Sequence, residues 1–197
     1  MKFLFRLLLF LTILNFNSIP QTKMLINKYN GTTDTLDFSE VKNIIFDYNL
    51  LQNGDFNSGL YNWRKVGDGP NPYHPEDPGR GTFTIKNGVL EIDINNEGIS
   101  IWSIMLFQNA DFEQGATYII SFEAKSDVSM EIISNVCQEG GTWENYSGDF
   151  KFNLTNIMTA YSYRFTMNKK APALFQFCLG TIGTGKIYFD NIVMRKR

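Results

Sequence analysis

The sequence predicts an all-β chain: an antiparallel β-sandwich jelly roll preceded by a small N-terminal β-hairpin. Three observations carry this. Short runs alternate apolar and polar residues, so that one face of each is apolar. Turn signals separate the runs: Lys86-Asn87-Gly88, Glu113-Gln114-Gly115, Ser126-Asp127, Gly140-Gly141, Asn168 to Lys170 and Gly183 to Gly185. Helical periodicity is almost absent, which leaves no crossover helices for a parallel sheet.

Residues 1–21 have the layout of a secretory signal peptide, with basic Lys2 and Arg6, an apolar run from Leu7 to Leu14, then Ser18 and Pro20. The run is too short to span a bilayer. The expectation is a secreted or cell-surface protein with no membrane partner after signal cleavage. Residues 22–47 hold an apolar strand, the turn pair Asn30-Gly31, a second alternating run through Leu36 and Phe38, and the apolar "VKNIIF". They read as a hairpin followed by one more short strand or turn. Residues 48–197 form the sandwich.

Within it, "VLEIDI" sets Leu90, Ile92 and Ile94 against Glu91 and Asp93. "TYIISFEAK" sets Tyr118, Ile120 and Phe122 against Ile119, Ser121 and Glu123. "YSYRFTM" aligns Tyr161, Tyr163, Phe165 and Met167, "LFQFCLG" aligns Phe175, Phe177 and Leu179, and "KIYFDNIVM" is the last strand. Before these stands "NLLQNGDFNSGLYNW", residues 49–63, which packs three turn signals around a Leu-Leu pair, Phe56 and Trp63. Burying Phe56 and Trp63 would contribute roughly 1.5–3 kcal/mol each, and Gly54 and Gly59 would let the chain turn where a side chain would clash.

Net charge is −2 with a pI near 5.4, which excludes a nucleic-acid partner for want of a basic patch to neutralise phosphates. Cys137 and Cys178 either pair in an oxidising compartment or remain two half-buried thiols. The single histidine, His74, lies in the Pro/Gly-rich "GPNPYHPEDPGRG" and reads as an exposed loop residue.

The ordered set of segments resembles the carbohydrate-binding modules of families four, nine and twenty-two over about residues 49 to 195. "NLLQNGDF" followed by Trp63 resembles their opening Leu-Leu-x-Asn-Gly-x-Phe. "WSIMLFQ" resembles their Trp-x-Val-Gln-Leu-x-Gln strand, with Met105 in place of Gln, and "FEQGATYIISFEAKS" is close to their Gly-x-x-Tyr-x-x-x-Phe-x-Ala strand. "FQFCLG" and "YFDNIVM" resemble their last two strands. The resemblance implies a non-catalytic jelly roll that binds a polysaccharide or oligosaccharide chain in a groove across one sheet. It also implies a structural Ca²⁺ held by main-chain oxygens at Asp55 and Gly88 and by the Asp190 carboxylate, an oxygen-only set that suits calcium; the alternative is that Asp190 only hydrogen-bonds the first segment.

Sugar binding needs flat apolar surfaces for pyranose CH faces and planar polar groups for hydroxyls. The candidates are Trp102, on the strand that carries a stacking Trp in relatives, Gln108 at its far end, and Trp143 in "GGTWENYSG". Gln176 and Cys178 alternate with core Phe175 and Phe177, and Glu131 and Asn135 alternate with Met130 and Ile132. Trp63 reads as core. The plainer alternatives are that Trp102 plugs the core, Trp143 covers a sheet edge and the polar groups are ordinary surface. A jelly-roll structural or interaction module without sugar binding is the second functional reading, favoured by Met105 and Cys178. A glycosidase is third, because no pair of carboxylates stands out.

Overall fold

The computed structural model describes residues 23–27, 32–37 and 49–197. The signal-peptide reading of 1–21, the Asn30-Gly31 turn and the "VKNIIF" run lie outside the described residues. The chain divides into two compact units, Met1–Phe46 and Asp47–Arg197. In the first, β1 (Lys23–Asn27) pairs antiparallel with β2 (Thr33–Asp37), in register from Lys23↔Asp37 to Asn27↔Thr33.

The second unit holds β3 (Arg64–Val66), β4 (Arg80–Lys86), β5 (Val89–Asn96), β6 (Met105–Ala110), β7 (Thr117–Ser126), β8 (Met130–Gln138), β9 (Phe150–Leu154), β10 (Thr159–Thr166), β11 (Ala173–Cys178) and β12 (Gly185–Lys196). They form two five-stranded antiparallel sheets, ordered β10-β7-β12-β5-β4 and β3-β6-β11-β8-β9. This is the expected β-sandwich. Period-2 alternation builds it: Leu90, Ile92 and Ile94 of β5, Tyr118, Ile120 and Phe122 of β7, and Phe175 and Phe177 of β11 all lie in the main core between the sheets. Phe122 sits at its centre, with ring contacts to Phe152, Tyr161, Phe177 and Phe189. The β4–β5 connection is the predicted Asn87-Gly88 pair, with both φ angles positive (52° and 79°), as a two-residue primed hairpin turn demands.

Residues 49–63 form no strand of their own. They form a succession of turns and join a sheet only at Arg64. Asn53, Phe56 and Asn62 all have positive φ, near 53°, 51° and 68°, and each breaks the extended backbone that a strand requires. The anchoring is as predicted. Phe56 and Trp63 are buried in the core, their rings 5.6 Å apart, and Trp63 Nε1–H donates to the Asn53 carbonyl (2.9 Å). The segment bridges both sheets: Leu50 N–H donates to Met194 O of β12 (2.8 Å), and Gln52 is bonded by Gln108 of β6.

Candidate functional site

The outward face of the β3-β6-β11-β8-β9 sheet is built by the residues that alternate with its core. Register aligns Arg64, Phe107, Gln176 and Asn135 in one row across four strands, and Val66, Met105, Cys178, Ile133 and Lys151 in the next. Part of this face is itself apolar and buried: Val66, Met105, Phe107, Cys137 and Leu174 form a second cluster outside the main core. Over it opens a cavity of about 430 Å³ whose lining includes Trp102, Trp143, Gln176, Asn135, Tyr73 and His74.

Trp102 and Trp143 both line this cavity, 45% and 41% exposed. Trp102 is not on the strand, however; it sits on a turn closed by Ser103 N–H to Ser100 O (3.0 Å), just before β6. Gln176 also lines the groove, its Nε2–H donating to Asn135 Oδ1 (2.8 Å).

Two predicted groove residues lie elsewhere. Gln108 pairs in register with core Phe175, so its side chain turns to the inner side of the sheet and is only 4% exposed. There its amide mimics a strand pairing with Gln52: the Gln52 N–H donates to Gln108 Oε1 (2.6 Å), and Gln108 Nε2–H donates to Gln52 O (3.0 Å). The cause of the misplacement is the turn at Trp102, which breaks the alternation linking positions 102 and 108. Glu131 is on the outward face but four residues from Asn135, about 13 Å along the strand, and it is ion-paired with Lys151 (2.8 Å) outside the groove lining.

The sequence reading missed the loop that walls the groove. Tyr73 packs edge-on to Trp143 (ring centroids 5.5 Å) and His74 lies against Trp102 (6.5 Å). Two buried side chains set this loop. Asn71 Oδ1 accepts from the N–H groups of Tyr73 and His74, at 3.0 and 3.2 Å. Asp77 accepts from Gly79 N–H (2.9 Å) and from the Ser103 hydroxyl (2.5 Å), tying the loop to the Trp102 turn. Burial opposes the Asp77 charge, but bonds from Ser103, Gly79 and Ile99 and the nearby His74 outweigh it and hold the carboxyl below its ordinary range. Asn135, read as groove-facing, does line the cavity, but its polar partners were missed: Asn135 Nδ2–H and Asn145 Nδ2–H both donate to Asp149 Oδ1, each at 2.7 Å.

Cys137 and Cys178 are free and buried, and both line the groove floor. Register places them four residues apart on adjacent strands (Cys137 opposite Leu174, Cys178 opposite Ile133), about 13 Å along the strand direction and too far for a disulfide. Burial pushes both thiols up to about 12, so they are neutral, unreactive floor groups at pH 7.

On the other sheet, Asp55 lies near both Gly88 and Asp190. The Asp55 main-chain oxygen lies 3.6 Å from where a Gly88 Cβ would stand. Asp190 Oδ1 accepts from Asn191 N–H (2.7 Å). Burial, then the charges of Glu123 and Asp55, raise the Asp190 carboxyl above its usual range despite that bond. Among the described residues, no group of three or more His, Cys, Asp or Glu side chains is arranged to hold a metal.

A solved structure described as "CBM4 structure and function" superposes with a TM-score of 0.67 at 25% identity, covering 74% of this chain and 99% of that one. The second N-terminal cellulose-binding domain of Cellulomonas fimi β-1,4-glucanase C gives 0.61 at 20% identity, covering 76% and 95%. The TmCBM61 structure in complex with β-1,4-galactotriose gives 0.53 at 13% identity, covering 76% and 99%. No curated protein matches the sequence. The profile of the family described as "Carbohydrate binding domain", CBM_4_9, matches residues 48–182, about two thirds of the chain, and the protein belongs to that family.

Proposed function

We propose that this protein binds a polysaccharide or oligosaccharide chain, without cleaving it, in the groove between Trp102 and Trp143, and that it does so outside the cell. The observation that carries this reading is the joining of two half-exposed indoles to one hydrogen-bonded polar row, Gln176–Asn135–Asp149, over a single cavity. Indole faces suit pyranose CH faces, and planar amides and a carboxylate suit paired hydroxyls. Solved relatives named for cellulose, xylan and galactotriose point to the same ligand class. A glycosidase needs two carboxyls flanking the scissile bond; among the described residues the groove lining contains one, Asp149. Trp102→Ala and Trp143→Ala are each expected to weaken glycan binding by about 1–3 kcal/mol. Affinity electrophoresis across a polysaccharide panel, with reducing-sugar release as the check on cleavage, tests this. Unchanged mobility for both variants on a retarding glycan would move the site elsewhere. The apolar floor of Met105, Cys137 and Cys178 favours the second reading, a jelly-roll module that binds no sugar, and the same panel separates the two.

The reading includes one structural Ca²⁺ near Asp190. The residues fit it: the Glu123 and Asp55 charges repel that of Asp190, which a cation would relieve, and the Asp55 main-chain oxygen, a donor that calcium accepts readily, faces Gly88. Because its carboxyl is raised, Asp190 favours the fold at acid pH, and that contribution is lost as pH rises through the raised value. A bound cation offsets this loss. EDTA is therefore expected to lower the Tm of the wild type at pH 7 and not to lower that of Asp190→Ala. Equal EDTA responses in both proteins would remove the ion.

A further inference from the structure

The hydrogen bonds of the polar row have a fixed direction, and one charge sets it. A carboxylate can only accept, so Asn135 and Asn145 must both turn their NH₂ groups toward Asp149 Oδ1. With its NH₂ so committed, Asn135 presents Oδ1 toward β11, and Gln176 must answer with its own NH₂ (2.8 Å). Reversing any one amide would set like groups against each other. Asp149 thereby orients a chain of planar groups running from beside β9 to β11, and the atoms that remain are offered to a ligand in that one arrangement.

The same residue decides the charge of the groove. Among the described residues the lining contains no Lys or Arg and a single carboxylate, Asp149. Cations bordering this face are already engaged: Arg64 by Glu139 (2.9 Å), Lys151 by Glu131 (2.8 Å) and Lys169 by Glu144 (3.0 Å). His74 faces Glu76 at 3.4 Å. An anionic sugar entering here meets the Asp149 carboxylate, and Lys151, the cation within electrostatic reach of that carboxylate, is held by Glu131. A neutral sugar meets acceptors and amide N–H groups suited to hydroxyls.

Resting on the sugar-binding reading above, we infer that the groove selects uncharged glycan chains and excludes uronates, with Asp149 as the specificity-determining residue, acting both by its charge and by orienting Asn135 and Gln176. Specificity of this kind comes from a repulsive element as much as from attraction. Asp149 is exposed, so its repulsion is screened and must weaken as salt is added.

The test is calorimetric titration of wild type, Asp149→Asn, Asp149→Glu and Glu131→Gln. The probes are neutral hexasaccharides (β-1,4- and β-1,3-linked glucose, and β-1,4-linked xylose, mannose and galactose) and hexagalacturonate, at low and high salt. Wild type is expected to bind at least one neutral hexasaccharide and to reject hexagalacturonate. Asp149→Asn should narrow that discrimination by about fivefold, the scale of one partly solvated charge, and more at low salt. Asp149→Glu keeps the charge but displaces the acceptor, so it should retain the exclusion and bind the neutral chain more weakly. Glu131→Gln releases Lys151 beside Asp149, so it should weaken the exclusion of hexagalacturonate and leave binding of the neutral chain unchanged. Wild-type binding of hexagalacturonate as tight as any neutral chain, or an unchanged ratio in Asp149→Asn, overturns the inference while leaving sugar binding intact. Binding of none of the panel overturns both.

Discussion

Replacing Trp63 with alanine is expected to cost about 3–5 kcal/mol of folding stability, far more than the same change at Trp102 or Trp143. The three indoles of the chain occupy opposite situations. Trp63 is buried, packs on Phe56 at 5.6 Å and on Phe175 at 6.3 Å, and donates its ring N–H to Asn53 O. Its loss leaves a large cavity at the junction of the opening segment and the core, and an unpaired carbonyl besides. Trp102 and Trp143 are nearly half exposed, so their truncation should fall within about 1 kcal/mol. Urea denaturation of the three variants measures the contrast directly. Stability losses of equal size would mean that the groove indoles are structural, and would count against their use as sugar platforms.

Gly54→Ala is expected to be the most disruptive of the small substitutions in the opening segment. An added Cβ would lie 1.9 Å from the Ile192 carbonyl oxygen and 2.9 Å from its carbon, both main-chain atoms that cannot swing aside. Relief requires the segment to lift off β12, which breaks the bond from Ile192 N–H to Gly54 O (2.9 Å) and strains that from Asn49 Nδ2–H to Ile192 O (2.8 Å). A loss of at least about 3 kcal/mol follows. Gly59→Ala is the comparator. Its φ is 64°, but nothing lies within 4 Å of the added carbon, so only the conformational cost of about 1–2 kcal/mol applies. Both glycines read alike in the sequence, as relief from a clash; only Gly54 has one. Denaturation midpoints that fall equally for the two variants would refute the close-approach argument.

That pair shows where the sequence stopped being legible. Strand faces were readable because period-2 alternation fixes which side chains share a core, and β5, β7, β10 and β11 obey it. The rule fails where it is extended across a break. Trp102 and Gln108 are separated by an even number of positions, which would place them on one face of a continuous strand, but the Ser100–Ser103 turn intervenes and Gln108 points inward. Tyr73 and His74 gave no signal at all. Their placement depends on Asp77 meeting Ser103, twenty-six residues away in sequence, and no local pattern encodes that meeting. Asp149 lies just before β9, a strand whose Phe150, Phe152 and Leu154 alternate, yet its role arises only when Asn135 and Asn145 converge on it.

The stitching of residue 49 to β12 has a mechanical meaning. Asn49 accepts from Met194 N–H (2.8 Å) and donates to Ile192 O, and Leu50 N–H donates to Met194 O, so the entry and exit of the sandwich lie side by side. Tension applied between these two points would load this clasp first. The groove lies on the other sheet, off the line of force. A pull through these paired ends would strain the clasp while the face carrying Trp102 and Trp143 keeps its shape.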